Sequence, residues 1–201
     1  MILETRVWQW ADEAACAAFA QRLARQAGLA SAFLTLQGPL GAGKTTFVRH
    51  LLRALGVQGR IKSPTYTVME PHHARGLDIA HFDFYRFNDP REWEDAGFRD
   101  VFAGPGLKLA EWPDKAAGAL PTPDLALQIS PLEPGPADTA QGTAQGTAQE
   151  KAEGQADRAA SDTPGLAGDG AGDETSAPRE VRIDALTPTG QQLLTALAQA
   201  A

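Results

Sequence analysis

A glycine-rich segment in the first quarter of the chain has the residue types that bind phosphate. Gly38 to Thr45, GPLGAGKT, matches the pattern G-x-x-x-x-G-K-[ST] at every fixed position. Such glycines let the backbone curl until its N–H groups converge on phosphate oxygens, Lys44 adds a positive charge, and the Thr45 hydroxyl ligates magnesium. The motif predicts a site for a nucleotide with Mg²⁺. Its expected binding residues are Gly38, Leu40, Gly41, Ala42, Gly43, Lys44, Thr45 and Thr46.

Two acidic residues end runs of apolar residues downstream of this loop. Asp83 follows the alternating run 77–82, and Glu111 follows the run 107–110. Phosphoryl transfer requires acidic groups that hold the metal and orient the attacking group, at the carboxyl ends of neighbouring strands. For either acid alone, a solvated residue at a strand end and a functional residue are equally good interpretations. Two such acids downstream of the loop favour a functional site. His81 shares a strand face with Asp83, and we interpret it as a structural, hydrogen-bonding histidine.

The spacing of apolar residues predicts the elements that position these groups. Strands are expected at Thr5–Trp10, Ala32–Gln37, Tyr66–Glu70, Leu77–Phe84, Leu107–Glu111, Asp124–Ile129 and Glu180–Leu186. Helices are expected at Asp12–Gln26, capped near Asp12, at Thr45–Leu55, closed by Gly56, and at Asp89–Gly97. This order predicts an α/β, three-layer, P-loop NTPase-like fold with a mixed, mostly parallel sheet flanked by helices. Antiparallel pairs are expected where strands follow one another directly.

The net charge of −7 is not spread evenly along the chain. Residues 1–132 hold 14 basic and 14 acidic side chains, whereas residues 133–178 hold two basic and nine acidic ones. This second block is rich in Ala, Gly and Gln, contains the near-repeat TAQG-TAQG-TAQE, and has too few large apolar residues to form a core. We predict a disordered insertion in a hairpin loop. Residues 1–132 and 179–201 then form a single domain, whose neutral charge does not favour strong direct binding of nucleic acid.

Several classes of protein are disfavoured by the composition. No stretch approaches the roughly 20 apolar residues of a membrane span, and no apolar signal segment follows Met1, so we expect a cytoplasmic protein without a membrane partner. Cys16 has no possible disulfide partner in the chain and is expected in the core. A GTPase should carry Asn-Lys-x-Asp, but the only asparagine is Asn88 in NDPR. The alternative that the chain is a small-molecule kinase stays open, with Arg86, Arg91 or Arg99 as the arginines that such an enzyme requires.

Four sequence blocks in a fixed order resemble the bacterial TsaE family, the ATPases of tRNA threonylcarbamoyladenosine biosynthesis. They are GPLGAGKTTFVRHLLRALGV at Gly38–Val57, IKSPTYTVMEPH at Ile61–His72, HFDFYRF at His81–Phe87 and LAEWPDK at Leu109–Lys115. With the flanking strands, the resemblance covers nearly all of the chain outside residues 133–178.

The resemblance implies a single α/β domain that binds ATP and Mg²⁺ and works with two partners, proteins of the TsaB and TsaD types. It also implies a role in modifying the adenosine beside the anticodon of tRNAs that read codons beginning with A. In this scheme the TsaD-type partner transfers the threonylcarbamoyl group, and the ATPase hydrolyses ATP to sustain turnover and meets tRNA only indirectly.

The same resemblance assigns a role to each candidate residue. Lys44 grips the phosphates, Thr45 and Glu111 hold the metal, and Asp83 positions or deprotonates the attacking water. The expected catalytic residues are Lys44, Asp83 and Glu111. Ser63-Pro64-Thr65 is expected to be a mobile loop that senses the γ-phosphate, and Trp112 is expected near the nucleotide. Two other functions stay open: a free-standing kinase, and a binding module whose nucleotide state only controls assembly.

Overall fold

Seven strands pair into one sheet in the computed structural model, which describes residues 1–87, 92–93, 96–132 and 177–199. The strands are β1 (Glu4–Trp10), β2 (Phe33–Gln37), β3 (Met69–Ala74), β4 (Leu77–Asp83), β5 (Leu107–Glu111), β6 (Leu125–Pro131) and β7 (Arg179–Ala185). The α-helices are α1 (Glu13–Ala24), α2 (Lys44–Leu55), α3 (Phe98–Ala103) and α4 (Pro188–Gln199), and short 3₁₀ helices span Ala27–Ser31 and Pro113–Ala116.

The strand order in the sheet is β1-β7-β6-β2-β5-β4-β3. The central strands β6, β2, β5 and β4 are parallel, and antiparallel pairs form both margins of the sheet. The predicted mixed α/β sheet with flanking helices is therefore confirmed. Strands β6 and β7 pair as the two arms of a hairpin, with Leu125 opposite Ala185 and Pro131 opposite Arg179. The disordered insertion predicted for residues 133–178 falls almost entirely outside the described residues and stays a prediction.

Local sequence signals explain where the first two helices begin and end. The Asp12 side chain caps α1 by accepting the Ala15 N–H at 2.8 Å. Helix α2 starts directly after Gly43 and stops at Gly56, whose φ of 102° belongs to the left-handed region that glycine adopts without strain. The boundaries predicted for both helices agree with these caps within two residues.

The two faces of the sheet have different cores. Successive side chains of β5 point to opposite faces, so Leu109 belongs to one core cluster and the next residue, Ala110, to the other. The helix face is covered by α1, α2 and α4, whose buried residues include Phe19, Leu23, Phe47, Leu51, Leu194 and Leu197. The aromatic face includes Phe33, Phe82, Phe84, Phe87, Trp93 and Phe98. Asp83 and Glu111 alternate with aromatic-face residues, so their side chains lie on the helix face, where α2 packs.

One predicted strand is wrong in its position. The expected strand Tyr66–Glu70 begins only at Met69, because the chain turns over residues 65–67 and Val68 adopts a φ of 64°. An extended run cannot continue through that conformation. Tyr66 is 83% exposed in this turn. Apolar alternation extended the predicted strand over a segment that is a turn.

Two further predictions concern a helix and the thiol. The helix expected at Asp89–Gly97 lies largely outside the described residues, of which Glu92 and Trp93 are helical. Helices α3 and α4 were not predicted. Cys16 is buried as expected, and burial raises the pKa of its thiol to about 12. Within the described residues, no helix is long and apolar enough to cross a membrane.

Candidate active site

The glycine-rich loop connects the end of β2 to the first residue of α2. Gly38, Gly41 and Gly43 have φ values of 146°, 78° and 98°, which residues with a Cβ rarely adopt. At Gly38 a Cβ would also overlap the backbone carbonyl oxygen of Ile129 on β6. Backbone conformation therefore favours glycine at all three positions, and close packing against β6 additionally excludes a side chain at Gly38.

Lys44 lies inside this loop rather than in open solvent. Its Nζ donates hydrogen bonds to the carbonyl oxygens of Gly38 and Pro39, both at 2.8 Å, and lies 3.9 Å from the centroid of the Trp112 ring. Burial lowers the pKa of Lys44, and the nearby carboxylates of Glu111 and Asp83 partly oppose that shift. The ammonium group is thus a partly desolvated cation held by two backbone carbonyls of the loop.

Glu111 links the loop helix to the centre of the sheet. Glu111 is 1% exposed, and its two carboxylate oxygens lie 3.0 and 2.8 Å from the Thr45 hydroxyl. His81 Nε2 lies 2.9 Å from Oε1 of the same carboxylate, which requires the tautomer that carries its proton on Nε2. Nδ1 of His81 is buried without a hydrogen-bond partner among the described residues. His81 therefore makes the structural hydrogen bond expected of it, and its acceptor is the predicted metal ligand.

Asp83 stands beside Glu111, since the two residues are register partners on the parallel strands β4 and β5. It is 3% exposed. Oδ1 accepts the Tyr85 N–H at 3.0 Å, and Oδ2 lies 2.7 Å from the Ser63 hydroxyl and 2.5 Å from that of Thr65. The Ser63-Pro64-Thr65 segment is thereby tied directly to the carboxylate expected to orient water.

Trp112 follows Glu111 and has a strained backbone. Its φ of 58° is left-handed, and its N–H donates to the Leu36 carbonyl at 3.1 Å. Non-glycine residues in this region cluster at functional sites. The ring packs against Tyr85 with centroids 5.0 Å apart and against the Lys44 ammonium. Trp112 therefore lies beside Lys44 of the glycine-rich loop, and its expected position near the nucleotide stays a prediction.

The structure brings most of the predicted site residues together. Thr45 and Thr46 lie in the first turn of α2, Ala42 is buried, and Leu40 is exposed at the outer tip of the loop. Among the arginines considered for a kinase, Arg86 lies over the Tyr66 ring at 4.2 Å, and Arg91 is outside the described residues.

One residue that contacts the loop was missed. Arg179 donates from Nε to the Ala42 carbonyl at 3.2 Å. No local sequence signal marks it, because the contact joins residues 137 positions apart.

The donor set fits a magnesium ion. Thr45 and Glu111 offer hard oxygen donors, and no group of three or more His, Cys, Asp or Glu side chains in the described part of the chain is arranged to hold a metal. Mg²⁺ usually binds one or two protein oxygens and completes its shell with water and substrate phosphates. The Thr45 and Glu111 oxygens beside the glycine-rich loop meet that requirement.

A family model described as Threonylcarbamoyl adenosine biosynthesis protein TsaE matches residues 10–135. The chain belongs to the TsaE family. The matched region contains the glycine-rich loop, the Ser63-Pro64-Thr65 segment and both carboxylates.

Proteins named tRNA threonylcarbamoyladenosine biosynthesis protein TsaE are similar to this chain. The one from Haemophilus influenzae is 48% identical over 94 residues, 47% of this chain and 60% of the relative. The one from Treponema pallidum is 36% identical over 102 residues, 51% of this chain and 75% of the relative. The match thus spans less than two thirds of the Haemophilus protein.

A solved structure supports the fold. The crystal structure of Bacillus subtilis YdiB aligns over 100% of this chain and 97% of its own, with a TM-score of 0.63 and 24% sequence identity. At that identity the likeness concerns the fold, which is the α/β, P-loop-like architecture described above.

Proposed function

We propose that this chain binds ATP with Mg²⁺ at its glycine-rich loop and hydrolyses the γ-phosphate. The observation that carries the proposal is the hydrogen-bonded Thr45–Glu111 pair, with the buried Lys44 next to Thr45 in α2 and Asp83 in register with Glu111. Four chemistry-bearing groups from α2, β4 and β5 thus meet at one end of the parallel strands, where α/β proteins bind nucleotides.

The loop is suited to a polyphosphate by charge and by backbone direction. Lys44 holds two backbone carbonyls, and charge-assisted bonds to phosphate oxygens are stronger than bonds to neutral carbonyls. Exchange of those acceptors for the β- and γ-phosphates therefore favours binding. The N-terminus of α2 adds its partial positive charge at the same point.

Thr45 and Glu111 are the proposed magnesium ligands. They would hold a Mg²⁺ ion that would supply positive charge against the phosphates of the nucleotide. The hydrogen bond between Thr45 and Glu111 holds both oxygen donors together, and His81 fixes the Glu111 carboxylate from the strand beside it.

Asp83 is the proposed acid that positions the attacking water. Water attacks the γ-phosphorus, the bond to the bridging oxygen breaks, and Asp83 Oδ2 accepts a hydrogen bond or the proton from the water. In the geometry described, Oδ2 is engaged by the hydroxyls of Ser63 and Thr65. One of those hydroxyls must turn toward the γ-phosphate before Oδ2 can receive water, which couples the segment to nucleotide binding, and the other keeps the carboxylate oriented.

The proposed role of this hydrolysis is the threonylcarbamoyl modification of the adenosine next to the anticodon in tRNAs reading codons that begin with A. Membership of the TsaE family supports this role. The chain would act in the cytoplasm with TsaB-type and TsaD-type proteins and meet tRNA through them. The balanced charge of residues 1–132 supports an indirect contact with tRNA.

The decisive experiment measures phosphate release from Mg–ATP by the purified chain, alone and with both partner types plus tRNA. We expect the partners to stimulate hydrolysis, and Lys44→Ala to reduce it at least about 100-fold because the phosphate charge loses its counter-charge. Arg53→Ala, which removes an exposed cation from the last turn of the same helix, is the matched control and should keep full activity.

Other results would contradict the proposal in distinct ways. Transfer of phosphate to a small acceptor without partners would establish the kinase alternative. Modification of tRNA that persists at the normal rate when hydrolysis is abolished would establish a binding module instead.

A further inference from the structure

Arg179 connects the β6–β7 hairpin to the glycine-rich loop. It is the first residue of β7, and its backbone pairs with Trp10 on β1 and Pro131 on β6. Its guanidinium extends to the glycine-rich loop. There Nε donates to the Ala42 carbonyl oxygen at 3.2 Å, and Nη2 lies 3.5 Å from the Gly41 carbonyl oxygen. Nη1 donates to the Ala177 carbonyl at 2.6 Å.

The bond to Ala42 fixes the direction of a neighbouring amide. In a trans peptide unit the C=O and N–H bonds point in opposite directions, and the Ala42 carbonyl shares its unit with the Gly43 N–H. A guanidinium that holds the carbonyl therefore turns the Gly43 N–H away from Arg179. Gly43 has no side chain and a φ of 98°, so its own conformational preference does not set this direction.

The charge of Arg179 acts in the same sense. Arginine stays protonated at all accessible pH values, and this residue is only 9% exposed. A positive group bonded to a carbonyl polarises the peptide unit and makes its N–H a better donor. A desolvated cation behind the loop also attracts an anion held in front of it more strongly than a solvated one does.

We propose that Arg179 is a positioning residue of the nucleotide site, which holds the Ala42–Gly43 peptide with its N–H directed at a phosphate. This inference rests on the proposed nucleotide binding. The hairpin supports the loop at a second point, where Ile129 packs against Gly38. Strand β7, which the chain reaches only after residues 133–178, is thus part of the phosphate site.

The test compares Arg179→Gln with Arg182→Gln. Arg182 lies on the same strand, is exposed and pairs with Asp184, so its loss is a matched control. Calorimetric titration with Mg–ATP and Mg–ADP should show affinity about tenfold weaker for Arg179→Gln, the effect of losing a charge-assisted hydrogen bond. Arg182→Gln should bind as the unaltered chain does. In steady-state hydrolysis KM should rise for Arg179→Gln while kcat changes less.

A purely structural role would instead lower the unfolding midpoint and leave the affinity of the folded protein unchanged, which would overturn the inference. Arg179→Lys, which keeps the charge, decides the matter if the Gln variant does not fold. It should lose about threefold in affinity and shift the Gly43 amide resonance, because one ammonium cannot reproduce the fork of donors. An unchanged amide and affinity would overturn the inference. Failure of the unaltered chain to bind nucleotide would overturn the proposed function as well.

Discussion

Glu111 and Asp83 occupy equivalent positions at the ends of neighbouring parallel strands, yet different kinds of structure hold their carboxylates. The partners of Glu111 are Thr45 in α2 and His81 in β4, both in regular elements. The side-chain partners of Asp83 are Ser63 and Thr65, which lie in the irregular segment between α2 and β3.

This difference sets how easily each carboxylate can change its surroundings. The backbones of Thr45 and His81 are fixed by a helix and by a central strand, so neither residue can move away from Glu111 as part of a loop. The segment around Ser63 and Thr65 has no sheet or helix ladder of its own, and such segments open at low free-energy cost. The proposed metal side of the site is therefore preorganised, and the proposed water side is adjustable.

The largest expected effects separate the two carboxylates. Glu111→Gln should weaken Mg²⁺-dependent nucleotide binding at least about tenfold and lower kcat about 100-fold, because a metal ligand is lost. Asp83→Asn should lower kcat by about 100-fold while nucleotide affinity changes little, because a water-positioning group acts in the chemical step. Titration with Mg–ATP and single-turnover hydrolysis measure the two quantities.

Both substitutions replace a carboxylate by an amide of the same shape, so each controls for the other. Equal losses of nucleotide affinity in the two variants would contradict the division into a metal side and a water side. Intact hydrolysis in Asp83→Asn would remove Asp83 from the mechanism.

Substitution of His81 should have a smaller effect on Mg²⁺ affinity, because His81 contacts Glu111 and not the nucleotide. His81→Leu removes the bond to Oε1, and loss of such an outer-shell partner typically costs 10- to 100-fold in metal affinity. We expect about tenfold weaker Mg²⁺ binding for this variant. His81→Gln can place an amide N–H near the position of Nε2 and should recover part of the affinity. A Gln variant as weak as the Leu variant would show that packing, not the hydrogen bond, is what His81 supplies.

The chemistry-bearing part of the site was accessible to sequence analysis because its signals are local. The loop pattern fixes Lys44 and Thr45 within eight residues, and Asp83 and Glu111 each end a recognisable strand. Parallel strands bring their carboxyl ends to one edge of the sheet, which is why the two acids meet. That step needs only the fold class, and the fold class followed from the alternation of elements.

The parts that sequence analysis missed depend on long-range or conformational detail. Arg179 reaches the loop across 137 positions, and an arginine that starts a strand gives no sign of where its side chain ends. The positive φ of Val68 delays the start of β3 to Met69, whereas the apolar pattern had placed the start at Tyr66. Helix α4 was missed although Leu193, Leu194 and Leu197 have helical spacing.

The smallest effect tests the adjustable side directly. Thr65→Val removes one hydroxyl from Asp83 Oδ2 without changing side-chain volume much, and a single hydrogen bond is worth about 0.5–1.5 kcal/mol. We expect kcat to fall about threefold with unchanged nucleotide affinity. Thr67→Val, an exposed threonine of the same turn, should have no effect. The Thr65→Val effect should vanish in the Asp83→Asn background, because the hydroxyl acts through that carboxylate. An equal loss in both backgrounds would mean that Thr65 acts independently of Asp83, and the two sides of the site would then differ in something other than how they hold their acids.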